Sequence, residues 1–266
     1  MEIARVSPAL GAEVLGIDAR SASDSLVAEL RQHLHRYHVL ILREQDLPHG
    51  EMQQFAARWG DLLTHPSGMH PEFAHEQTLA RQAVRGKAFS AWHSDMSWHP
   101  TPPAITLLHA REVPTSGGDT GFADQKLALE TLDDARKDGR RQFRIGLPGI
   151  EDLLPLKANH TGKGFGPEVP DSIHPVVRRH DETGELTLYV NPEFTSHLVD
   201  VPEEEGRRML WPLWMHQTCM EFVYRHAWRP GDVVIWDNRY VLHTAILDDD
   251  EPRYMIRCTV KGPQPS

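Results

Sequence analysis

An α+β fold, with helices packed outside a mostly antiparallel β-sandwich or barrel, is what the sequence predicts. Three observations predict it. Apolar residues recur at helical spacing in several stretches. The rest of the chain holds short segments rich in β-branched or aromatic residues, separated by Gly, Pro, Asn and Asp turns. Those strands are too short and too unevenly spaced for alternating βαβ units.

Taken in order, residues 23–36 read as a helix: Ser23 can cap it, and Val27, Leu30 and Leu34 share a face. His38-Val39-Leu40-Ile41-Leu42 follows as a buried strand. Residues 49–59 form a second helix, with Met52, Phe55 and Trp59 on one side and Gly60 as the stop. Ala104–His109 is a strand and 124–136 a third helix. Pro155–Pro175 holds Gly162, Gly164, Gly166 and four prolines, and reads as a long loop. Loops of that length are functional lids or disordered segments; a lid and a passive surface excursion both stay open. Leu186–Val190 is a strand. A fourth helix runs from Pro202 to about Tyr224, kinked or interrupted at Pro212. Asp232–Trp236, Val241–Thr244 and Tyr254–Val260 are strands. No repeat, low-complexity tract or linker divides the chain, so one domain over 1–266 is expected.

The chain has 266 residues with Lys+Arg 28 against Asp+Glu 38, a net charge of −10. That acidity argues against nucleic acid or an anionic membrane as the main partner. A hydrophobic fraction of 39% beside 25% charged residues fits a globular protein rather than a disordered one. No apolar run approaches the ~18 residues of a membrane span, and the first residues lack the basic-then-apolar pattern of a secretory signal. Cys219 and Cys258 are too few for a disulfide scaffold or a Cys-based zinc knuckle. A reducing cytoplasm is the expected setting. Seventeen histidines stand out, because histidine is the commonest transition-metal ligand.

Trp92-His93-Ser94-Asp95 contains His-x-Asp. In this composition about one such triplet arises by chance, so alone it says little. On a strand, positions i and i+2 share a face, and an imidazole and a carboxylate there can reach one ion. The strand-like segment Asn238–Thr244 offers His243 as a third ligand. Two histidines and a carboxylate leave three octahedral positions open, which suits non-haem Fe(II) that must bind a cosubstrate and O2. Gly117-Gly118-Asp119-Thr120 presents a hydroxyl beside a glycine turn. Arg253 and Arg257 share a strand face, and an arginine fork is the usual partner of a carboxylate. His243 has the opposite parity to both, which the intervening acidic turn can reset.

These motifs, with Tyr189-Val190-Asn191, Phe194-Thr195, Trp236-Asp237-Asn238-Arg239 and the N-terminal Gly11–Asp18 stretch, resemble the taurine dioxygenase and 2,4-dichlorophenoxyacetate dioxygenase family. The resemblance runs from about residue 5 to 260. It implies a double-stranded β-helix (jelly-roll) core with flanking helices. It also implies an Fe(II)- and 2-oxoglutarate-dependent dioxygenase that consumes O2 and releases succinate and CO2. Iron is then placed on His93, Asp95 and His243, and the far carboxylate of 2-oxoglutarate on Arg253 and Thr120. Arg257 and His65 match substrate-side positions, so a small anionic substrate is expected, and dimers or tetramers are suggested.

Plainer readings stand beside several of these. Arg257 can pair with a carboxylate at the edge of the core instead of substrate. His65 can pack or cap locally, and Trp98 and Phe194 divide between pocket wall and core. Asn238 and Arg239 are expected to brace the strand that carries His243. Phe89 and Gly68 stand where the taurine enzymes are expected to hold Asn and Tyr. An aromatic there removes a hydrogen-bonding partner and a glycine opens volume, so taurine is expected to be a poor substrate. A zinc- or manganese-dependent hydrolase could use the same triad, though it would not need Arg253 and Thr120. A non-catalytic binding protein would not need the triad. A halogenase is disfavoured, because Asp95 fills the position that halide would take.

Overall fold

The computed structural model describes residues 1–65, 68–81, 90–138, 147–165 and 169–266. Its largest sheet runs β1 (Glu2–Arg5), β2 (Ala12–Leu15), β3 (Val39–Leu42), β14 (Val233–Asp237), β6 (Ile105–Glu112), β16 (Arg253–Val260) and β4 (Leu62–Leu63), with β5 (Gln77–Arg81) also paired to β16. Every pairing in it is antiparallel except β2 with β3. A second sheet orders β13 (Val223–His226), β7 (Thr120–Asp124) and β15 (Val241–Ala245).

The period of two along each strand sorts the large sheet into two faces. Leu40, Leu42, Ile105, Leu107, Val233, Ile235, Ile256 and Val260 face outward and pack under two helices, α1 (Asp24–Tyr37) and α2 (Glu51–Ala57). The helices contribute Val27, Leu30, Leu34, Met52 and Phe55 to that layer. The Ser23 hydroxyl accepts from the Leu26 N–H, which caps α1 as read from sequence. The alternate residues Val39, Ile41, Leu108, Ala110, Val234, Trp236 and Met255 face inward, against Phe122 and Val241 of the second sheet. Thr106, Arg253 and Arg257 share that inward parity, so the sheet's own alternation carries polar groups into the space between the sheets.

Three sequence readings are corrected. The helix expected over 124–136 is two, α3 (Gln125–Glu130) and α4 (Leu132–Asp138). They part at Thr131, whose hydroxyl donates to the Leu127 carbonyl and competes with the helix's own bonding. After α5 (Ile150–Leu153), the stretch Pro155–Pro175 is not one loop. It carries β8 (Lys157–His160) and β9 (Ser172–Pro175), paired antiparallel, and β12 (Thr195–Leu198) flanks β8. Only 161–171 connects the pair, and residues 166–168 of the expected lid lie outside the described residues. Beyond a small ribbon of β10 (Val177–Arg179) with β11 (Leu186–Leu188), the helix expected from Pro202 to Tyr224 is α6 (Glu203–Gln217). It passes through Pro212 and stops short of Tyr224, which lies on β13. The carbonyl that Pro212 leaves unbonded belongs to exposed Arg208, within reach of water. Pairing of β13 with β7 claims residues 223–226 for the sheet. Among the described residues, no helix is long and apolar enough to cross a membrane.

Candidate metal and cosubstrate site

His243 lies on β15, and its N–H and carbonyl exchange bonds of 2.8 and 3.0 Å with the backbone of His93. This isolated bridge is all the strand character His93 has. Asp95 follows in a turn where Met96 takes φ 45°, so His93 and Asp95 are not the i, i+2 pair of a continuous strand. The turn brings them together instead. Ser94 Oγ donates to the Asn238 carbonyl at 2.8 Å, and the Asp95 N–H donates to Asn238 Oδ1 at 3.3 Å. Asn238 therefore braces the turn of Asp95, and it also accepts from Trp236 Nε1 at 3.0 Å, whose ring packs on His243. The question of parity between His243 and the arginines dissolves, because β15 and β16 belong to different sheets.

The ligand atoms of His93, Asp95 and His243 lie within 4.8 Å of one another. His93 Nε2 is 4.0 Å and His243 Nε2 3.8 Å from Asp95 Oδ1. His93 Nδ1 donates to the Ala91 carbonyl at 2.9 Å, which leaves its Nε2 lone pair facing the carboxylate. The His243 ring is held by Trp236 and Phe122, with centroids 4.8 and 6.2 Å away. Burial, helped by His93, pushes the His243 imidazole down to about 3, so it stands neutral and able to ligate. Burial opposes ionisation of Asp95. Arg257, then His243, His93 and the Thr106 hydroxyl outweigh it and hold the carboxyl well below the usual range. Thr106 Oγ1 donates to Asp95 Oδ2 at 2.7 Å and accepts from Asn238 Nδ2 at 2.8 Å. One carboxylate and two imidazoles form a donor set that fits a divalent first-row metal, Fe(II) included.

A cavity of about 490 Å³ opens on His93 and His243. Arg253, Met255 and Arg257 line it together, as their shared parity on β16 requires. Thr120 lines it from β7. Trp228 Nε1 donates to Thr120 Oγ1 at 3.0 Å, and the Arg253 guanidinium lies 5.5 Å over the Trp228 ring. Indole N–H can only donate, so Thr120 keeps its own hydroxyl hydrogen for another acceptor. Leu79, Leu108 and Leu247 are apolar parts of the wall, and no acidic side chain is among the described lining residues.

Arg257 is not a free fork. Its Nη1 donates to Asp95 Oδ1 at 3.0 Å and its Nε to Gln77 Oε1 at 2.7 Å. The plainer reading of Arg257, a carboxylate partner at the core edge, is thus realised, and by a residue of the triad. His65 is buried and meets Gln77 through Nδ1 at 3.0 Å. The Phe194 ring stands edge-on to His93 at 5.8 Å. Trp98, considered for the pocket wall, is instead buried with Met96 and Phe194 and is not among the described lining residues. The ideal Cβ direction of Gly162 points at its ring, so the start of the 161–171 connection packs against Trp98. Phe89 lies outside the described residues. Thr106 and Gln77 went unnoticed in the sequence, where neither belongs to a motif. A second group, His35, His180 and Asp237, also brings its ligand atoms close. Arg239 already claims Asp237 through Nε and Nη2, and His180 Nε2 meets it at 3.1 Å, so that group is a buried ion-pair network.

A family model described as Taurine catabolism dioxygenase TauD, TfdA family matches residues 2–259. The chain is 31% identical over 269 residues to the alpha-ketoglutarate-dependent 2,4-dichlorophenoxyacetate dioxygenase of Cupriavidus pinatubonensis, a match covering 94% of this chain and 93% of that one. It is 28% identical over 292 residues to an alpha-ketoglutarate-dependent sulfonate dioxygenase of Saccharomyces cerevisiae, covering 100% of this chain and 68% of that one. Among solved structures, a taurine dioxygenase from Burkholderia xenovorans superposes with a TM-score of 0.85 at 30% identity, over 99% of this chain and 92% of that one. The two facing sheets are the jelly roll of these enzymes. With its fold, its inward-facing polar groups and nearly its whole length accounted for, the chain belongs to the TauD, TfdA family of dioxygenases.

Proposed function

We propose that His93, Asp95 and His243 hold Fe(II), that Arg253 and Thr120 hold the far carboxylate of 2-oxoglutarate, and that a small anionic organic substrate enters beside Arg257. The enzyme is an Fe(II)- and 2-oxoglutarate-dependent dioxygenase that consumes O2. The hydrolase alternative has no support among these relatives, and it leaves Arg253 and Thr120 without a task. One observation carries the residue assignments: a metal-competent triad and an arginine–hydroxyl pair open on the same cavity.

Bound at the triad, Fe(II) supplies the redox chemistry that couples decarboxylation of 2-oxoglutarate to oxidation of the substrate. The chain's own residues do the rest. Arg253, steadied over Trp228, gives the cosubstrate a charge-assisted anchor, and the Thr120 hydroxyl donates to the same carboxylate. Leu79, Leu108, Leu247 and Met255 exclude water around the reacting centre. The 1–266 chain works as one oxygenase domain.

For the substrate, the relatives named for a sulfonate and for 2,4-dichlorophenoxyacetate both point to an anion. The wall here adds two arginines, apolar side chains and no described acidic partner for an ammonium group. An anion with an apolar body is therefore favoured over taurine. Anaerobic titration with Fe(II) and 2-oxoglutarate tests the cosubstrate site through the visible charge-transfer band. Succinate release with alkanesulfonates, aryloxyacetates, alkyl sulfates and taurine then tests the substrate class. Taurine as the best substrate, or a cation without any anionic group, would overturn that part of the reading.

A further inference from the structure

Gln77 sits opposite Arg257 in the antiparallel pairing of β5 with β16, so their side chains share a face. It is buried, and it lines the cavity. Its amide meets both Arg257 and His65: Oε1 lies 2.7 Å from Arg257 Nε and Nε2 lies 3.0 Å from His65 Nδ1. Chemistry fixes which end is which. An arginine Nε can only donate, so the amide oxygen must face it. The amide nitrogen then faces His65 and donates, so His65 Nδ1 must accept. The ring of His65 therefore carries its proton on Nε2.

The same geometry limits Arg257. Nε is held by Gln77 and Nη1 by Asp95. The guanidinium is clamped between a cavity residue and a triad carboxylate, and among the described residues Nη2 has no partner. The segment carrying His65 is docked on Gln77 as well. Met69 bridges Gln77, the Thr78 N–H donates to the Gly68 carbonyl at 2.9 Å, and Gly68 adopts φ +73°. A Cβ at residue 68 would stand 3.3 Å from Gln77 Cγ and Nε2, so the glycine makes room for this side chain.

We propose that Gln77 is a positioning residue for recognition of the prime substrate: its one amide orients Arg257, holds His65 as an Nε2–H donor, and leaves Nη2 of Arg257 for the anionic head group. The proposal rests on the reading of Arg257 as the partner of that anion. It makes Arg257 a shared part, touching the triad carboxylate on one side and the substrate on the other. With Nε taken by Gln77, the Nε–Nη2 edge of the guanidinium is closed to a bidentate head group, and the anion is met at Nη2.

The decisive measurement needs no substrate. In the full chain loaded with Zn(II) as a diamagnetic stand-in, the ring-nitrogen NMR signals of His65 are assigned by their loss in His65→Gln. Wild type should show Nδ1 bare and Nε2 protonated. Gln77→Glu, which exchanges one donor group for an acceptor, should move the proton to Nδ1, whereas Gln77→Leu should leave the tautomer mixed. A wild-type His65 protonated on Nδ1, or a pattern unmoved by Gln77→Glu, overturns the proposal. In turnover, Gln77→Glu should raise KM for 2,4-dichlorophenoxyacetate or hexanesulfonate about tenfold or more, by placing a competing carboxylate on Arg257. KM for 2-oxoglutarate should not move, because Arg253 is untouched. A rise in both KM values would show a general structural defect and count against a positioning role. The substrate-side reading fails separately, if Arg257→Ala binds the anionic probes as well as wild type does.

Discussion

Replacing Thr106 by Val removes one hydroxyl and keeps the shape and β-branching of the side chain. That hydroxyl donates to Asp95 Oδ2 at 2.7 Å and accepts from Asn238 Nδ2 at 2.8 Å, all in a fully buried setting. A hydrogen bond to a charged group is worth about 1.5–3 kcal/mol, and a stranded buried donor costs about 1–3 kcal/mol more. Asn238 keeps its other contacts, to the Asp95 N–H and to Trp236 Nε1 at 3.0 Å, so the turn survives. With partial relaxation, a stability loss of about 2–4 kcal/mol is expected from urea unfolding. The effect on the metal is separate. Asp95 loses the contact that orients its outer oxygen, and loss of such a partner typically weakens metal binding about 10–100-fold. Anaerobic Fe(II) titration of the folded variant reads this directly. Thr106→Ser, which restores the hydroxyl without the methyl, should recover most of the affinity. Thr106→Val that binds Fe(II) like wild type, or Thr106→Ser as weak as Thr106→Val, would refute the argument that the hydroxyl positions the ligand.

Three further outcomes are expected. His243→Ala should abolish Fe(II) binding and turnover while the circular dichroism spectrum stays native; a fully active variant would remove His243 from the ligand set. Arg253→Ala should raise KM for 2-oxoglutarate about 10–100-fold, the scale of one charge-assisted bond; an unchanged KM would move the anchor elsewhere. Acid should destabilise the fold early. Burial pushes the His109 and His174 imidazoles down to about 4 and His160 down to about 3. The unfolded chain takes up these protons near pH 6.5 and the folded chain only near pH 3–4, so their contribution is complete above about 6.5 and is lost as pH falls through that window. The urea midpoint should drop from pH 7 to pH 5, and an unchanged midpoint would contradict the burial of these rings as neutral species.

The legible parts of the fold are those where local pattern and tertiary role coincide. Val27, Leu30 and Leu34 recur at helical spacing because α1 lies on the outer face of the large sheet, and Ser23 caps it through a contact only three residues long. The strand β14 reads as a continuous apolar run, Val233-Val234-Ile235-Trp236, because both its faces are buried. β8 and β9 are not legible in sequence because they pair across a glycine- and proline-rich connection, and pairing partners leave no periodic trace there. β13 reads as helix from sequence because Phe222-Val223-Tyr224 continues the apolar spacing of α6, whereas the backbone of Val223–His226 pairs with β7.

The same division runs through the site. His93, Asp95 and His243 could be read because ligand identity is a matter of residue type, and the types sit in recognisable motifs. Thr106 and Gln77 could not, since their importance lies in which atom faces which. Gly68 shows what composition alone leaves out. A small residue in place of a large one suggests an enlarged pocket, and Gly68 does line the cavity. In the structure a Cβ at 68 would press on Gln77 at 3.3 Å, and the backbone there has a positive φ that an L side chain resists. A tyrosine at residue 68 would therefore strain the backbone of the segment that carries His65 and press on the Gln77 side chain. Substitutions around this cavity are therefore coupled in pairs, so grafting the taurine enzymes' expected tyrosine onto residue 68 alone should disturb Arg257 and His65 rather than confer use of taurine.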